Sequence, residues 1–446
     1  MKNPQKPELL SPAGNFSKLK YALAYGADAT YAGIPKFSLR TRENEFREKS
    51  LKQAIEYSRN MGKKLYLTLN IFAHNTKINS FMKELERVAE WKPDALIMAD
   101  PGLINMTLKE YPDIPIHLST QANVTNWTTV KFWRDMGVER IILSRELQLK
   151  EIAEIHKNVD NIELESFVHG AICIAYSGRC LISNYMNHRD ANQGTCTNSC
   201  RWEYTVGRDT DSLVEMEKKQ IPAPEITSDS LDGFYVKEEH RPDQKYDISE
   251  DDFGTYMFNA KDLCAVELLE EIQKSGVMSF KIEGRTKSEY YAAMVTRSYR
   301  KAIDDMVNGE PFNTQNLNDL MALSNRSYTT GFYTRKPREF GENYEDGRSL
   351  EWTHKAVGMD CIYDQENGLL TFEAKNRIEK GTIVDLITPE GIQSVKIESL
   401  IDRKGKIVDV GHGGAGRYGF PFQNNPGEFA VIRRKLYPAE EELIKT

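Results

Sequence analysis

The chain has 446 residues, 40% of them apolar and 28% charged, with a formal net charge of −7. That length exceeds what a single hydrophobic core usually serves, and the composition is that of a soluble globular protein. No run of about 18 apolar residues occurs and "MKNPQKPELLSPAG" has no apolar stretch, so neither a membrane span nor a secretory signal is expected and a cytoplasmic location is.

The acidity is local. Between Thr205 and Gly254 there are 14 Asp and Glu against 6 Lys and Arg, which leaves the rest of the chain near neutral and able to present a basic face to nucleic-acid phosphates.

The first two-thirds alternates short apolar runs with longer stretches of helical period. Strands are expected at "ELL" from Glu8, "ATYAG" from Ala29, "KLYLTLN" from Lys64, "ALIMAD" from Ala95, "IPIHLS" from Ile114, "RIILS" from Arg140, "IELESFVHG" from Ile162 and "SFKIEG" from Ser279. Amphipathic helices are expected between them, from "NFSKLKYALAYG" to "CAVELLEEIQKSG", with "SEYYAAMVTRSYRKAIDDMVNG" after the eighth strand. Eight such pairs predict a parallel (β/α)8 barrel over residues 1–308, with its chemistry at the C-terminal strand ends. Those ends carry Asn70, Asp100, Ser119, Gln121, Asn123, Ser144, Arg145, Glu146, His169, Glu283 and Arg285. The polar types among them also serve as caps for the helices that follow.

The interval after the seventh strand is far longer than a usual βα loop and must hold a functional segment. It divides into a loop at 169–202 with four of the six cysteines and the acidic insertion at 205–254. A connector is expected at 309–350. From 351 to 446 short alternating strands, "AVGMDCIY", "LLTFEAK", "GTIVDLIT", "GIQSVKIESL", "KIVDVG" and "EFAVIRRK", predict a small antiparallel β-barrel. "GHGGAGR" lacks the Lys-Ser/Thr ending of a phosphate loop and reads as a turn, and "RRK" from Arg433 as a solvated strand edge.

Reducing cytosol makes clustered cysteines metal ligands or redox groups rather than disulfides. Cys173 and Cys180 have six residues between them, Cys180 and Cys196 fifteen, and Cys196 and Cys200 three. Only the last pair has the spacing of a zinc knuckle, whereas an iron–sulfur cluster tolerates wider gaps. Spacing alone leaves iron–sulfur, zinc and reduced structural cysteines open. A loop leaving a barrel strand would hold a metal over the barrel mouth. Cys264 is expected to begin a helix, as a spare ligand, and Cys361 to lie buried in a strand.

The stretches "ELLSPAGNFSKLKYALAYGADATYAG", "FVHGAICIAYSGRCLISNY", "RDANQGTCTNSCRWEY" and "FKIEGRTKSEYY" resemble the collagenase-like peptidase family U32, in particular its tRNA-hydroxylating branch. The resemblance spans the barrel and is strongest at the strand ends and the cysteine loop. It implies an enzyme that adds a hydroxyl to C5 of the wobble uridine of tRNA, requires prephenate, and holds an iron–sulfur cluster, of the 4Fe–4S type, on Cys173, Cys180, Cys196 and Cys200. A homologous partner subunit is compatible with it. Prephenate is a dicarboxylate, for which guanidinium groups are suited. The candidates are Arg40, Arg42, Arg145 and Arg285, with Asn70 and Gln121 as further substrate ligands. His169, Glu8 and Glu283 are the candidate acid–base and orienting groups. Tyr176, Tyr185, Trp202 and Tyr333 are candidate base-stacking aromatics. The competing readings are a peptidase, with a cysteine paired to His169, and a zinc-bearing RNA-binding module without chemistry.

Overall fold

The structure, a computed structural model, describes residues 6–39, 45–172, 176–179, 261–334, 352–438 and 440, together with the backbone of four short strands between 235 and 256. Seven strands alternate with six helices: β1 (Glu8–Ala13), α1 (Phe16–Ala24), β2 (Ala29–Gly33), α2 (Glu48–Asn60), β3 (Lys64–Leu69), α3 (Ile78–Glu90), β4 (Ala95–Met98), α4 (Pro101–Glu110), β5 (Ile116–Leu118), α5 (Trp127–Asp135), β6 (Arg140–Ile142), α6 (Leu149–Asn158) and β7 (Glu163–Ala171). Every residue of β2 and of β4 is buried, as expected for strands covered on one face by helices and on the other by the barrel interior. Helix starts are set by local chemistry. Asn15, Asp100 and Asn126 each accept a backbone N–H in the first turn of α1, α4 and α5.

Within the acidic insertion, β8 (Tyr235–Glu238) pairs with β9 (Arg241–Asp247), and β10 (Ser249–Asp251) with β11 (Gly254–Tyr256), both antiparallel. The chain returns through β12 (Asp262–Cys264), α7 (Leu269–Lys274), β13 (Val277–Ile282) and α8 (Glu289–Val307). β13 is the eighth barrel strand. It pairs in parallel with β1, Glu8 opposite Ser279, and with β7, Leu164 opposite Val277, and so closes the barrel.

The segment after the insertion departs from expectation. "DLC" is not the start of a helix: β12 pairs antiparallel with the top of β7, Cys264 opposite His169. β7 is nine residues long where β5 and β6 have three, so its end rises above the rim and leaves an edge for β12 to cover.

After α8 come a further helix, α9 (Thr314–Met321), unread in the sequence, and β14 (Tyr328–Thr329), which extends the wall in parallel with β12. The C-terminal domain contains β15 (His354–Asp364), β16 (Leu369–Ala374), β17 (Ile378–Glu379), β18 (Ile383–Ile387), β19 (Ile392–Lys396), β20 (Leu400–Asp402), β21 (Ile407–Val408), β22 (Val410–Gly411), β23 (Arg417–Pro421) and β24 (Val431–Lys435). Eight of these form one antiparallel sheet in the order β19-β18-β24-β15-β16-β23-β20-β21. Val384 of β18 and Leu400 of β20, far apart in that order, share one apolar cluster with Phe372 and Phe420, so the sheet curves around a core of its own.

β24 is an interior strand, which corrects the reading of "RRK" as a solvated edge. Arg433 is buried against Asp319 and Asp385, and Arg434 donates to both carboxylate oxygens of Glu440 while stacking 3.6 Å from the Tyr437 ring. The domains also join through Tyr25, whose hydroxyl donates to the carbonyls of Ile387 and Phe429.

Candidate active site at the barrel mouth

Charged side chains climb the barrel interior. At the N-terminal end Arg140 binds Glu8 at 2.5 Å, Glu163 at 2.6 Å and Glu165 at 3.2 Å, and Tyr66 donates to Glu8 at 2.7 Å. Burial alone would raise the Glu8 carboxyl, but Arg140 outweighs it and holds the group below its ordinary range. Glu8 therefore lies at the end opposite the mouth, spent in an ion-pair network, and the structure does not bring it to the other candidates. One layer up, Lys281 donates to Glu165 at 2.7 Å, with its ammonium 4.3 Å from the Tyr31 ring centre and 5.5 Å from that of Phe167. Above those rings lie two guanidiniums, Arg285 5.8 Å from Tyr31 and Arg145 3.9 Å from Phe167. The aromatic layer thus separates the buried charges below from the arginines at the rim.

The two arginines differ. Arg285 donates to the hydroxyls of Ser38 and Thr68, both at 3.1 Å, and to the carbonyl of Leu39 at 2.8 Å. It braces the loop after β2, which Asn70 holds from the other side by accepting the Leu39 N–H at 3.1 Å and donating to Ser119 at 3.2 Å. Arg40 and Arg42, which follow Leu39 in the sequence, lie outside the described residues, as do Cys173, Cys180, Cys196, Cys200, Tyr185 and Trp202. Arg145 is half-buried and meets no carboxylate or hydrogen-bond acceptor among the described residues.

His169, on the rising end of β7, packs against the rings of Tyr291, Tyr299 and Tyr328, with Nδ1 3.3 Å from the Tyr299 hydroxyl. Burial pushes its imidazole down to about 3, so it is neutral at physiological pH. Glu283 is buried beside it, its backbone N–H donating to the His169 carbonyl at 2.9 Å. The Tyr299 hydroxyl also lies 3.9 Å from the Cys264 sulfur, whose thiol burial pushes up to about 11.

Residues 176–179, between Cys173 and Cys180, are seated on the rim. The Ser177 N–H donates to Glu146 at 2.8 Å, and its hydroxyl accepts from Thr120 at 3.3 Å. Gly178 has φ +72°, and a Cβ there would lie 2.1 Å from the carbonyl oxygen of Gln121, so only glycine permits this approach. Gln121 therefore contributes its backbone to the seat, and its half-buried side chain has no partner among the described residues. Tyr176, at 64% exposure, projects outward, whereas Tyr333 is buried with its hydroxyl on Ser166 and the Phe167 carbonyl and is not available for stacking. Asp100 is a helix cap.

The structure thus brings Asn70, Gln121, Arg145, His169, Glu283 and Arg285 to one end of the barrel and leaves Glu8 at the other. Tyr31, Thr68, Glu165, Phe167 and Lys281 were not singled out from sequence. A signal existed for some: Glu165 and Phe167, like Ser279 and Lys281, recur every second residue and so share the interior face of their strands, whereas a register shift after Phe167 sets His169 opposite Ile282. Among the described residues no cluster of His, Cys, Asp and Glu is suited to a metal ion, and no helix is long and apolar enough to cross a membrane.

Residues 14–343 match the model of peptidase family U32, and residues 353–433 that of the peptidase family U32 C-terminal domain. The chain is 46% identical over 448 residues to tRNA hydroxylation protein P of Haemophilus influenzae, covering 97% of this chain and 96% of that one. It is 46% identical over 418 residues to the protein of the same name in Escherichia coli, covering 92% of each. It is also 31% identical over 300 residues to the 23S rRNA 5-hydroxycytidine C2501 synthase of Escherichia coli, covering 67% of this chain and 40% of that one.

Proposed function

The chain belongs to peptidase family U32, and from that premise we propose that it is an RNA-hydroxylating enzyme of the cytoplasm. Its substrate is tRNA, its product carries a hydroxyl on C5 of the wobble uridine, and the reaction requires prephenate. The similarity to proteins named for tRNA hydroxylation, near full length on both sides, supports the substrate class, and the similarity to an rRNA 5-hydroxycytidine synthase supports C5 of a pyrimidine as the position modified.

The observation that carries the reading is the seat of residues 176–179. Six residues separate Cys173 from Cys180, and two of those six, Ser177 and Gly178, are held against the residues that follow β5 and β6. Cys173, Cys180, Cys196 and Cys200 would hold a 4Fe–4S cluster. The fit rests on a loop anchored at the mouth by a glycine-only contact, and on chemistry that leaves the other two cysteines unsuited: Cys264 and Cys361 are buried, with thiols pushed up to about 11 and about 12. A bound cluster supplies one-electron chemistry.

The chain's own groups do the remaining work. Arg145 offers a guanidinium edge that is unpaired among the described residues to a prephenate carboxylate, while Arg285 and Asn70 brace the chain that leads to Arg40 and Arg42. Gln121 and Glu283 line the approach of the base. His169, neutral and enclosed by tyrosines, holds the β7 end in place and excludes water from it. A peptidase reading finds no support in these groups: Cys264 faces His169 across the β7–β12 ladder but its thiol is held protonated.

Mass spectrometry of tRNA nucleosides tests the proposal. Deleting the gene should remove C5-hydroxylated wobble uridine and re-expression should restore it. Hydroxylation that persists in a strain without a second homologue rejects the reading. Anaerobically purified protein should be brown and contain iron; a colourless, zinc-loaded protein rejects the cluster.

A further inference from the structure

A cleft of about 480 Å³ lies between the barrel and the C-terminal domain, with Lys287, Tyr290 and Tyr291 on the barrel side and Trp352, Lys355 and Lys375 on the other. Its first lining residue, Lys287, follows Arg285 of the proposed active site by two positions. Its size is that of a pocket for one small organic group.

The chemistry of its walls is specific. The Lys287 ammonium stands 5.6 Å from the Tyr291 ring centre and has no carboxylate partner among the described residues. On the facing wall Lys375 pairs with Glu373 at 3.0 Å in an exposed, readily exchanged bridge, and Lys355 with Glu440 at 3.0 Å. Trp352 is half-buried, yet among the described residues its ring has no aromatic, cationic or hydrogen-bonding partner. Leu323, Ala356 and Met359 supply an apolar floor, and Glu289, the one acidic residue of the lining among the described residues, is hydrogen-bonded by Asn15 at 3.4 Å. An unstacked indole between walls that each carry ammonium groups suits a flat ring joined to an anion.

We propose that this cleft binds a nucleotide of the RNA strand next to the target uridine, its base stacked on Trp352 and its phosphate held by Lys287. The inference rests on the RNA-hydroxylase reading, since it names a second contact for the same substrate. The C-terminal domain then acts as a clamp that fixes the RNA while a neighbouring base enters the barrel mouth.

The test measures binding of full-length protein to an unmodified anticodon stem–loop RNA by fluorescence anisotropy across a salt series, separately from hydroxylation. Trp352→Ala should weaken binding about tenfold and Trp352→Phe should recover most of it, since stacking needs only a ring. Lys287→Ala should reduce the steepness of the log affinity against log salt plot by about one unit. Unfolding temperatures should not change. Wild-type affinity and salt slope in folded Trp352→Ala and Lys287→Ala proteins overturn the proposal, as does AMP binding the cleft as tightly as the RNA without displacing it. If the RNA is hydroxylated while both variants bind like wild type, the clamp is wrong and the reaction stands. If the variants lose RNA binding but the wild type leaves the uridine unmodified, the clamp stands and the reaction is wrong.

Discussion

A guanidinium that stacks on a ring without meeting a carboxylate keeps its hydrogen-bonding edge available, and among the described residues Arg145 above Phe167 is in that position. Arg145→Ala should raise the KM for prephenate about 10- to 100-fold, the loss expected of a charge-assisted hydrogen bond, with little change in unfolding temperature. Steady-state kinetics at varied prephenate with a thermal melt will check it, and an unchanged KM would remove Arg145 from the site. His169 is the contrasting case. Its imidazole is lowered from an ordinary 6.5 to about 3, chiefly by burial. The unfolded chain thus binds the extra proton first as pH falls. The stability that the neutral imidazole contributes is complete above pH 6.5 and is lost as pH falls from there toward 3. His169 should accordingly show no titration between about pH 5 and 8 by NMR, and the pH–rate profile no acid limb from it near pH 6.5. A His169 resonance that titrates near neutrality would contradict the burial seen here. Its nature as a histidine four residues before Cys173 was legible in the sequence; its contact with Tyr299, 130 residues away, was not.

At the scale of elements, β7 does most to shape the mouth. Its extra length carries His169 above the rim, and Gly170, at φ +105°, permits the passage of β13: a Cβ there would stand 2.7 Å from the Glu283 carbonyl oxygen. The seat of residues 176–179 is equally intolerant. Gly178→Ala should unseat the turn, so that the protein retains its barrel and its unfolding temperature but loses most of its bound iron and its tRNA hydroxylation. Metal analysis with far-UV circular dichroism decides the matter, and full iron loading in this variant would show that the seat does not position the cysteines. The eight barrel strands could be read because strands buried on both faces give continuous apolar runs. α9 could not, because its buried face includes Asn316 and Asp319, which blur the apolar period. β12 was taken for a helix start since three residues are too few to show a period of two.

At the scale of the molecule, the two domains are locked by charge as well as apolar contact. Asp319 of α9 lies buried between Arg297 of α8, at 3.3 Å, and Arg433 of β24, at 3.4 Å. Asp319→Ala leaves two buried guanidiniums without that carboxylate and should cost about 3–5 kcal/mol, measurable by denaturant unfolding. A loss below about 1 kcal/mol, the range of exposed pairs, would mean that solvent reaches the junction.

The sequence by itself determined the βα alternation, the parallel barrel, the antiparallel C-terminal domain and the concentration of cysteines after the seventh strand, because each is written in local periodicity or spacing. Only the tertiary structure decided which charges are spent and which remain available. Glu8 and Arg140, 132 residues apart, meet at the N-terminal end of the barrel, and Arg433 and Asp319 meet between domains 114 residues apart. Arg145 and Lys287 meet no carboxylate among the described residues. Pairing of this kind depends on where distant strands are brought by barrel closure and domain docking, and burial then sets its strength, so no local pattern can report it.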